Sequence, residues 1–79
     1  MTAAVVSKVV QRRIDTAEWI DRQAEPFEIM DAQRALGFTH GLVYGVLRDM
    51  EARGLLRRYR GRPRSRPTPN GGATMYELI

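Results

Sequence analysis

Two glycines placed to end helices constrain the fold of this chain more than any other feature of its sequence. Gly37 follows a short amphipathic segment at residues 30–36, and glycine is the residue that most often ends a helix in the left-handed conformation. Thr39 comes two residues later and is a good cap for the start of a further helix, expected over residues 40–53. Gly54 then ends that helix. The sequence therefore predicts two short helices joined by a tight turn.

A longer helix is predicted in the N-terminal segment, residues 1–24, with helical periodicity from residue 3 onward. Its apolar residues recur at steps of three and four, as on one face of a helix. The run Asp15-Thr16-Ala17-Glu18 also has the pattern of a helix start, so the segment is either one long helix or two that meet near residue 15. Pro26 ends it, because the residue before a proline avoids the helical conformation. The recurring apolar positions are Val6, Val10, Ile14, Ala17, Ile20 and Ala24.

Beyond the third helix the pattern changes from helix to strand. Residues 55–59 and 74–78 each contain a tyrosine that favours a strand, and a loop rich in proline, glycine and arginine separates them over residues 60–73. A short extended piece is expected at residues 27–29. We therefore predict one small α+β domain with three helices and a C-terminal β-hairpin. Its predicted parts are the N-terminal helix at 1–24, the helix-turn-helix segment at 27–54 and the hairpin at 55–79.

Charge is distributed unevenly along the chain. Residues 1–52 carry six basic and eight acidic side chains, whereas residues 53–79 carry seven arginines and a single carboxylate, that of Glu77. The formal net charge of the whole chain is +4. A strongly positive end on a small domain favours a polyanionic partner. The alternative is a solvated basic tail that has no partner.

The residue types needed for most catalytic and metal chemistry are scarce. The chain has no cysteine, which excludes disulfides and thiolate sites, and His40 is its one histidine. No nucleophile beside a base and no phosphate-binding glycine loop is visible, so we expect no enzyme activity, no cofactor and no metal. No apolar run approaches the roughly 18 residues that cross a membrane. Charges begin at Lys8, unlike in a signal peptide, and a cytoplasmic protein without a small-molecule ligand is expected.

Four short runs resemble bacterial winged helix-turn-helix regulators, nearest to the PadR-like and MarR-like branches. The runs are Ala35-Leu36-Gly37-Phe38-Thr39, Val43-Tyr44-Gly45-Val46-Leu47, Met50-Glu51-Ala52-Arg53-Gly54-Leu55-Leu56 and Met75-Tyr76-Glu77-Leu78. The resemblance covers about residues 15–79. It implies a winged helix with an extended N-terminal helix. It also implies binding of double-stranded DNA, either in transcriptional control or as an architectural, nucleoid-associated protein.

The resemblance implies that the third helix is a recognition helix, residues 39–53, which enters the major groove of DNA. His40 without any partner and Tyr44 packed against the hairpin are the alternative interpretations of those two side chains. Gly41 and Gly45 each cost up to about 1 kcal/mol of helix stability relative to alanine. Close approach of another backbone, from the second helix or from DNA, would explain them. The residues expected to face DNA are Thr39, His40, Gly41, Tyr44, Gly45 and Arg48.

The run Arg60-Gly61-Arg62-Pro63 resembles the core of an AT-hook, an element that binds the minor groove of A·T-rich DNA. That groove is narrow and strongly negative, so it attracts arginine. Glycine lets the backbone lie deep in the groove, and proline keeps the chain extended. The alternative is a loop that binds phosphates only or is disordered. The flanking arginines expected to meet phosphates are Arg57, Arg58, Arg64 and Arg66.

The N-terminal helix carries more valine than a small core needs. An exposed valine stripe is an interaction surface, and we predict that it forms a homodimer contact. The alternative is that the helix packs on its own domain. Two other functions stay open, a protein-interaction module and binding of structured RNA through the basic loop. The residues of the predicted dimer contact are Val5, Val6, Val9 and Val10.

Overall fold

The computed structural model describes residues 7–63, 66–68 and 71–79. The strands within this part pair antiparallel as a hairpin that follows the last helix. This confirms the expected α+β class, with three helices before a hairpin. The elements are α1 (Lys8–Asp21), α2 (Ile29–Leu36), α3 (His40–Ala52), β1 (Leu56–Gly61) and β2 (Ala73–Leu78).

The predicted helix boundaries around the turn are confirmed by their caps. Gly37 ends α2 with φ of 72°, a left-handed conformation that glycine adopts without steric cost. The Thr39 hydroxyl accepts a hydrogen bond from the Leu42 N–H at 3.4 Å at the start of α3. Gly54, with φ of 76°, turns the chain from α3 towards β1. Local sequence chemistry thus places the turn and both ends of α3.

The N-terminal helix is continuous where the sequence left two arrangements open. Ser7 caps α1, and the helix runs without a break past residue 15. The Thr16 hydroxyl donates to the Arg12 carbonyl at 2.7 Å, so this side chain bonds within the helix and does not cap a new one. The helix ends at Asp21, three residues before the end we expected. The expected start at residue 3 lies outside the described residues.

Only the C-terminal half of α1 packs into the core. Ile20 is fully buried, and Ala17 and Trp19 are partly buried against the core. Val10 and Ile14, which share the predicted apolar stripe, are exposed. Val9 and Val10 are exposed, as expected for a valine stripe that the core does not need, whereas the alternative that the helix packs on its own domain holds for its second half. Periodicity identifies the apolar face of a helix but not how much of that face the rest of the domain covers.

The hairpin is longer than the sequence indicated. β1 continues to Gly61 and β2 begins at Ala73, where these two residues pair. The connecting segment is therefore 62–72, shorter than the expected loop at 60–73. The added strand residues are polar or small, and cross-strand pairing rather than apolar alternation holds them in register.

Phe27 joins the first helix, the hairpin and the core. Its N–H and C=O pair with the backbone of Tyr76 at 2.9 and 2.8 Å. The extended piece expected over residues 27–29 is shorter than predicted, because α2 already begins at Ile29. The Phe27 ring packs edge-on against Trp19 at 5.2 Å and stacks on Tyr76 at 6.0 Å. This three-ring contact fixes the hairpin beside the helices. The buried apolar side chains are Ile20, Phe27, Ala32, Val43, Val46, Leu47, Met50, Leu56, Met75 and Tyr76.

Candidate nucleic-acid interface

The outward stripe of α3 is nearly bare of side chains. Gly41, Gly45 and Ala52 recur at the spacing of one helix face, together with Arg48. Among the residues that the structure describes, a Cβ atom built at Gly41 or Gly45 would meet no atom within 4 Å apart from its own stretch of helix. The explanation that α2 approaches these glycines is therefore wrong. The stripe is open, and it leaves room for the backbone of a partner to come close to the helix.

Beside the bare stripe, α3 carries a row of stacked side chains four residues apart. The His40 and Tyr44 rings stack with centroids 5.7 Å apart, so the interpretation of His40 as a residue without a partner is wrong. The Arg48 guanidinium lies 5.8 Å from the centre of the Tyr44 ring. A cation–π contact of this kind contributes about 0.5–1 kcal/mol at an exposed site. The row ends at Arg48, its one cation, which is exposed and also belongs to the bare stripe.

Thr39 has a structural role that competes with its expected DNA contact. Its hydroxyl accepts from a backbone N–H of the first turn of α3, while the residue itself is exposed. The backbone N–H groups at this end of the helix, with the positive end of the helix dipole, favour an anion. The contact of Thr39 with DNA stays a prediction.

Two of the hairpin arginines pair with carboxylates. The Arg57 guanidinium donates to Glu77, its partner across the strands, at 2.6 Å. Arg58 lies 3.5 Å from Glu51 of α3. The two arginines are exposed and the two carboxylates are about one third exposed, and pairs near the surface contribute roughly 0–1 kcal/mol each. Both pairs nonetheless reduce the free positive charge of the hairpin, and the Arg58 pair connects β1 to α3.

Arg66 anchors the basic segment to the helical body. Its guanidinium donates to both carboxylate oxygens of Glu28, at 2.7 and 3.3 Å. Glu28 is 5% exposed, and it lies at the start of α2. The bonds and the charge of Glu28 raise the pKa of Arg66 above its ordinary value. Arg66 is therefore engaged within the domain, and its expected contact with phosphate stays a prediction.

The run that resembles an AT-hook lies partly in strand β1. Arg60 and Gly61 pair with β2, and Pro63 is buried. A Cβ at Gly61 would lie 2.7 Å from Cε2 of Tyr59 and 3.2 Å from Cγ of Met75. A side chain at Gly61 would therefore displace the Tyr59 ring or Met75, so this glycine allows close packing inside the hairpin, which differs from the groove contact that the sequence suggested. Its contact with DNA stays a prediction, as does that of Pro63.

The remaining basic side chains near α3 are open to a partner. Arg48, Arg60 and Arg62 are exposed, and within the described residues none of them lies within ion-pair distance of a carboxylate. Arg60 reaches the carbonyl of Gly72 at 3.4 Å. Arg64 lies outside the described residues. The described arginines whose charge is available near the site are therefore those of α3 and of the hairpin end.

Tyr76 links the buried core to this surface. Burial raises the pKa of its hydroxyl above the ordinary value of 10.0, and the nearby charge of Arg58 lowers it by less. The charges of Tyr44 and Glu51 raise this pKa further. Below pH 10 Tyr76 is protonated in both the folded and the unfolded chain. Above it the unfolded chain loses the proton first, so stability falls as the pH rises.

We expect the melting temperature of the wild type to fall above about pH 10, and the variant Tyr76→Phe to fall less, because it has no hydroxyl to ionise. Thermal unfolding followed by circular dichroism between neutral and alkaline pH measures this. Tyr59→Phe, a half-buried position on the same hairpin, is the matched control and should keep the alkaline loss of the wild type. If the melting temperature of Tyr76→Phe fell at alkaline pH as much as that of the wild type, ionisation of Tyr76 would not be its cause.

Sequence reasoning missed the carboxylates that organise the arginines. Glu28, Glu51 and Glu77 each pair with an arginine of strand β1 or of the segment that connects β1 to β2. The Glu77 pair could have been found, because antiparallel pairing of the two strands brings it opposite Arg57. The Glu28 pair had no local signal, since its partner lies 38 residues away.

Two further properties bear on what this surface can do. Among the described residues, no group of three or more potential metal ligands is close enough to hold a metal ion. None of the helices in the described part of the chain has the length and apolarity to cross a membrane.

Comparison with protein-family models, with curated proteins and with solved structures found no match to this chain.

Proposed function

We propose that the domain is a winged helix that binds double-stranded DNA, with α3 in the major groove and the hairpin as the wing. The open stripe of α3 carries this proposal. Two glycines weaken the helix, no part of the described domain fills the space beside them, and a stacked row ending in Arg48 borders them. A helix fits the major groove, and a bare face lets it approach the base edges closely.

The side chains on the α3 face suit contact with DNA. Arg48 has the fork of donors that matches the acceptors of guanine or a phosphate. Tyr44 and His40 offer polar groups beside it on the same row. The face has few side chains that read bases, so we expect modest sequence discrimination from α3 and a large contribution from phosphate attraction.

The hairpin supplies the second contact in this proposal. Arg60 and Arg62 stand at its end without carboxylate partners in the described part, and arginine enters the narrow minor groove of A·T-rich DNA. Arg57, Arg58 and Arg66 are tied to carboxylates and act mainly by holding the wing in place. The proposed role is regulation of transcription or shaping of DNA in the cytoplasm, without a cofactor or a catalytic step.

Fluorescence anisotropy with labelled A·T-rich duplex, G·C-rich duplex and an RNA hairpin, over a salt series, tests the proposal. We expect duplex binding that weakens with salt, with a slope of about −0.9 in log K per log salt for each phosphate contact. Arg48→Gln and Arg60→Gln should each reduce the slope by about 1 if they meet phosphates. Arg34→Gln, on the exposed face of α2, is the control and should change it less.

The other outcomes of this experiment distinguish the alternatives. Arg62→Ala should weaken binding to A·T-rich duplex more than to G·C-rich duplex or RNA, and equal losses would leave only phosphate attraction. Tighter binding to the RNA hairpin would favour the RNA alternative. Absence of duplex binding even at about 50 mM salt would overturn the proposal and favour a protein-interaction module.

A further inference from the structure

An apolar groove lies between α1 and α3, on a side of α3 other than its bare stripe. It has a volume of about 480 Å³. Val10, Ile14 and Leu55 line it and are 48%, 41% and 46% exposed, while the buried side chains of Val46 and Met50 lie at its base. Exposed large apolar side chains that converge on one groove mark an interaction site.

Charged side chains of both signs surround this groove. Asp49 of α3 and Arg53, which follows the end of that helix, pair with each other at 3.2 Å. Arg13 and Asp21 of α1 also line the groove, and neither has an ion pair within the described residues. These two stand eight residues apart, about 12 Å along the helix, with Ala17 midway between them. The free charges therefore lie at equal distances on either side of a small residue.

We propose that a second copy of this chain occupies the groove, with the two α1 helices antiparallel and crossing at Ala17. A twofold axis at Ala17 places Arg13 of each copy opposite Asp21 of the other. The dimer then contains two Arg13–Asp21 ion pairs. The small side chain at the crossing lets the helices approach. Val10 and Ile14 of each copy then pack against the groove of the other and leave water.

Other occupants fit this charge pattern less well. An acidic peptide or an anionic membrane surface would meet Asp21 and Asp49, and a basic peptide would meet Arg13 and Arg53. A surface with one charge of each sign, equally spaced about its centre, is complementary to itself. This geometry changes the dimer contact predicted from sequence. Val10 lines the groove, whereas Val9 is exposed outside it, and Val5 and Val6 lie outside the described residues.

Sedimentation equilibrium of the full chain over a concentration series, without DNA, tests this proposal. We expect the wild type to form a dimer with a dissociation constant in the micromolar range. Arg13→Glu and Asp21→Arg should each weaken self-association by at least about tenfold, because like charges then face each other twice. The double variant R13E/D21R should recover the wild-type association.

A mixture of the two single variants gives the sharpest result. In the antiparallel arrangement the R13E chain is complementary to the D21R chain at both contacts, so the mixture should form a heterodimer although each variant alone is weakened. Arg34→Glu makes the same change of charge on α2, away from the groove, and should leave association unchanged. Circular dichroism verifies that each variant is folded, since all three positions are exposed.

Three results would overturn the proposal. The first is a monomer at every concentration. The second is a dimer that Arg13→Glu and Asp21→Arg do not weaken, and the third is a dimer that still forms with Ile14→Glu in the groove. The measurement contains no nucleic acid, so its failure would leave the DNA proposal standing. Failure of the duplex experiments would likewise leave this one standing.

Discussion

Gly45→Glu is expected to weaken duplex binding by at least about 100-fold while leaving the domain folded and slightly more stable. The position is in the middle of α3, where glutamate is a better helix former than glycine by about 0.5–1 kcal/mol. Apart from its own stretch of helix, no atom of the described part of the chain lies within 4 Å of the added Cβ, so the side chain has room to point outward. There its carboxylate would meet the phosphates and base acceptors of a bound duplex and would be repelled.

In Gly45→Glu the stability should rise slightly while the duplex affinity falls, and this combination identifies repulsion of DNA at the α3 face. Thermal unfolding measures the stability and anisotropy measures the affinity of the same sample. Gly45→Gln has the same bulk without the charge and should bind with intermediate affinity. Ala24→Glu, in the exposed link after α1, makes the same change of net charge and should bind nearly as the wild type does. Wild-type affinity in Gly45→Glu would mean that DNA does not approach this face.

Leu47→Ala is expected to destabilise the domain by about 2–5 kcal/mol, the usual cost of removing a buried leucine side chain. Leu47 is fully buried, on the inward side of the helix that carries the proposed DNA-binding face. Each kcal/mol shifts the melting temperature of a domain this small by about 4–8 °C, so a fall of more than about 8 °C is expected. Such a loss is a large part of the stability of a small domain.

Urea and thermal unfolding measure this loss. Leu47→Met keeps the volume and should cost less than about 1.5 kcal/mol. Ile79→Ala removes a large apolar side chain that is 80% exposed, and it should change little. Duplex affinity per folded molecule should be unchanged in Leu47→Ala at low temperature. A stability equal to that of the wild type would contradict the packing around α3.

The two faces of α3 explain why the helix tolerates its glycines. Val43 and Leu47 anchor one face in the core, so tertiary packing holds the helix although Gly41 and Gly45 weaken it locally. This packing leaves the opposite face available for close contact. The fold thus requires one face of these thirteen residues to be buried, whereas the proposed DNA binding requires the opposite face to be open.

Much of the layout could be predicted from sequence because its signals are local. Gly37 and Gly54 adopt the left-handed conformation that glycine allows, and Thr39 caps the helix that follows. The hairpin was visible from its tyrosines and its loop residues, although its strands extend further than their apolar pattern. Conformational preferences of this kind act over a few residues, so a short stretch of sequence determines them.

What the sequence could not determine is which surfaces are covered and which charges are paired. The bare α3 stripe is open because none of the described helices and strands packs on it, and Val10 and Ile14 are exposed because the core formed by those elements ends before it reaches them. Arg66 finds Glu28 across 38 residues of chain. Burial and ion pairing depend on distances between residues far apart in sequence. The tertiary packing of the three helices and the hairpin alone sets those distances.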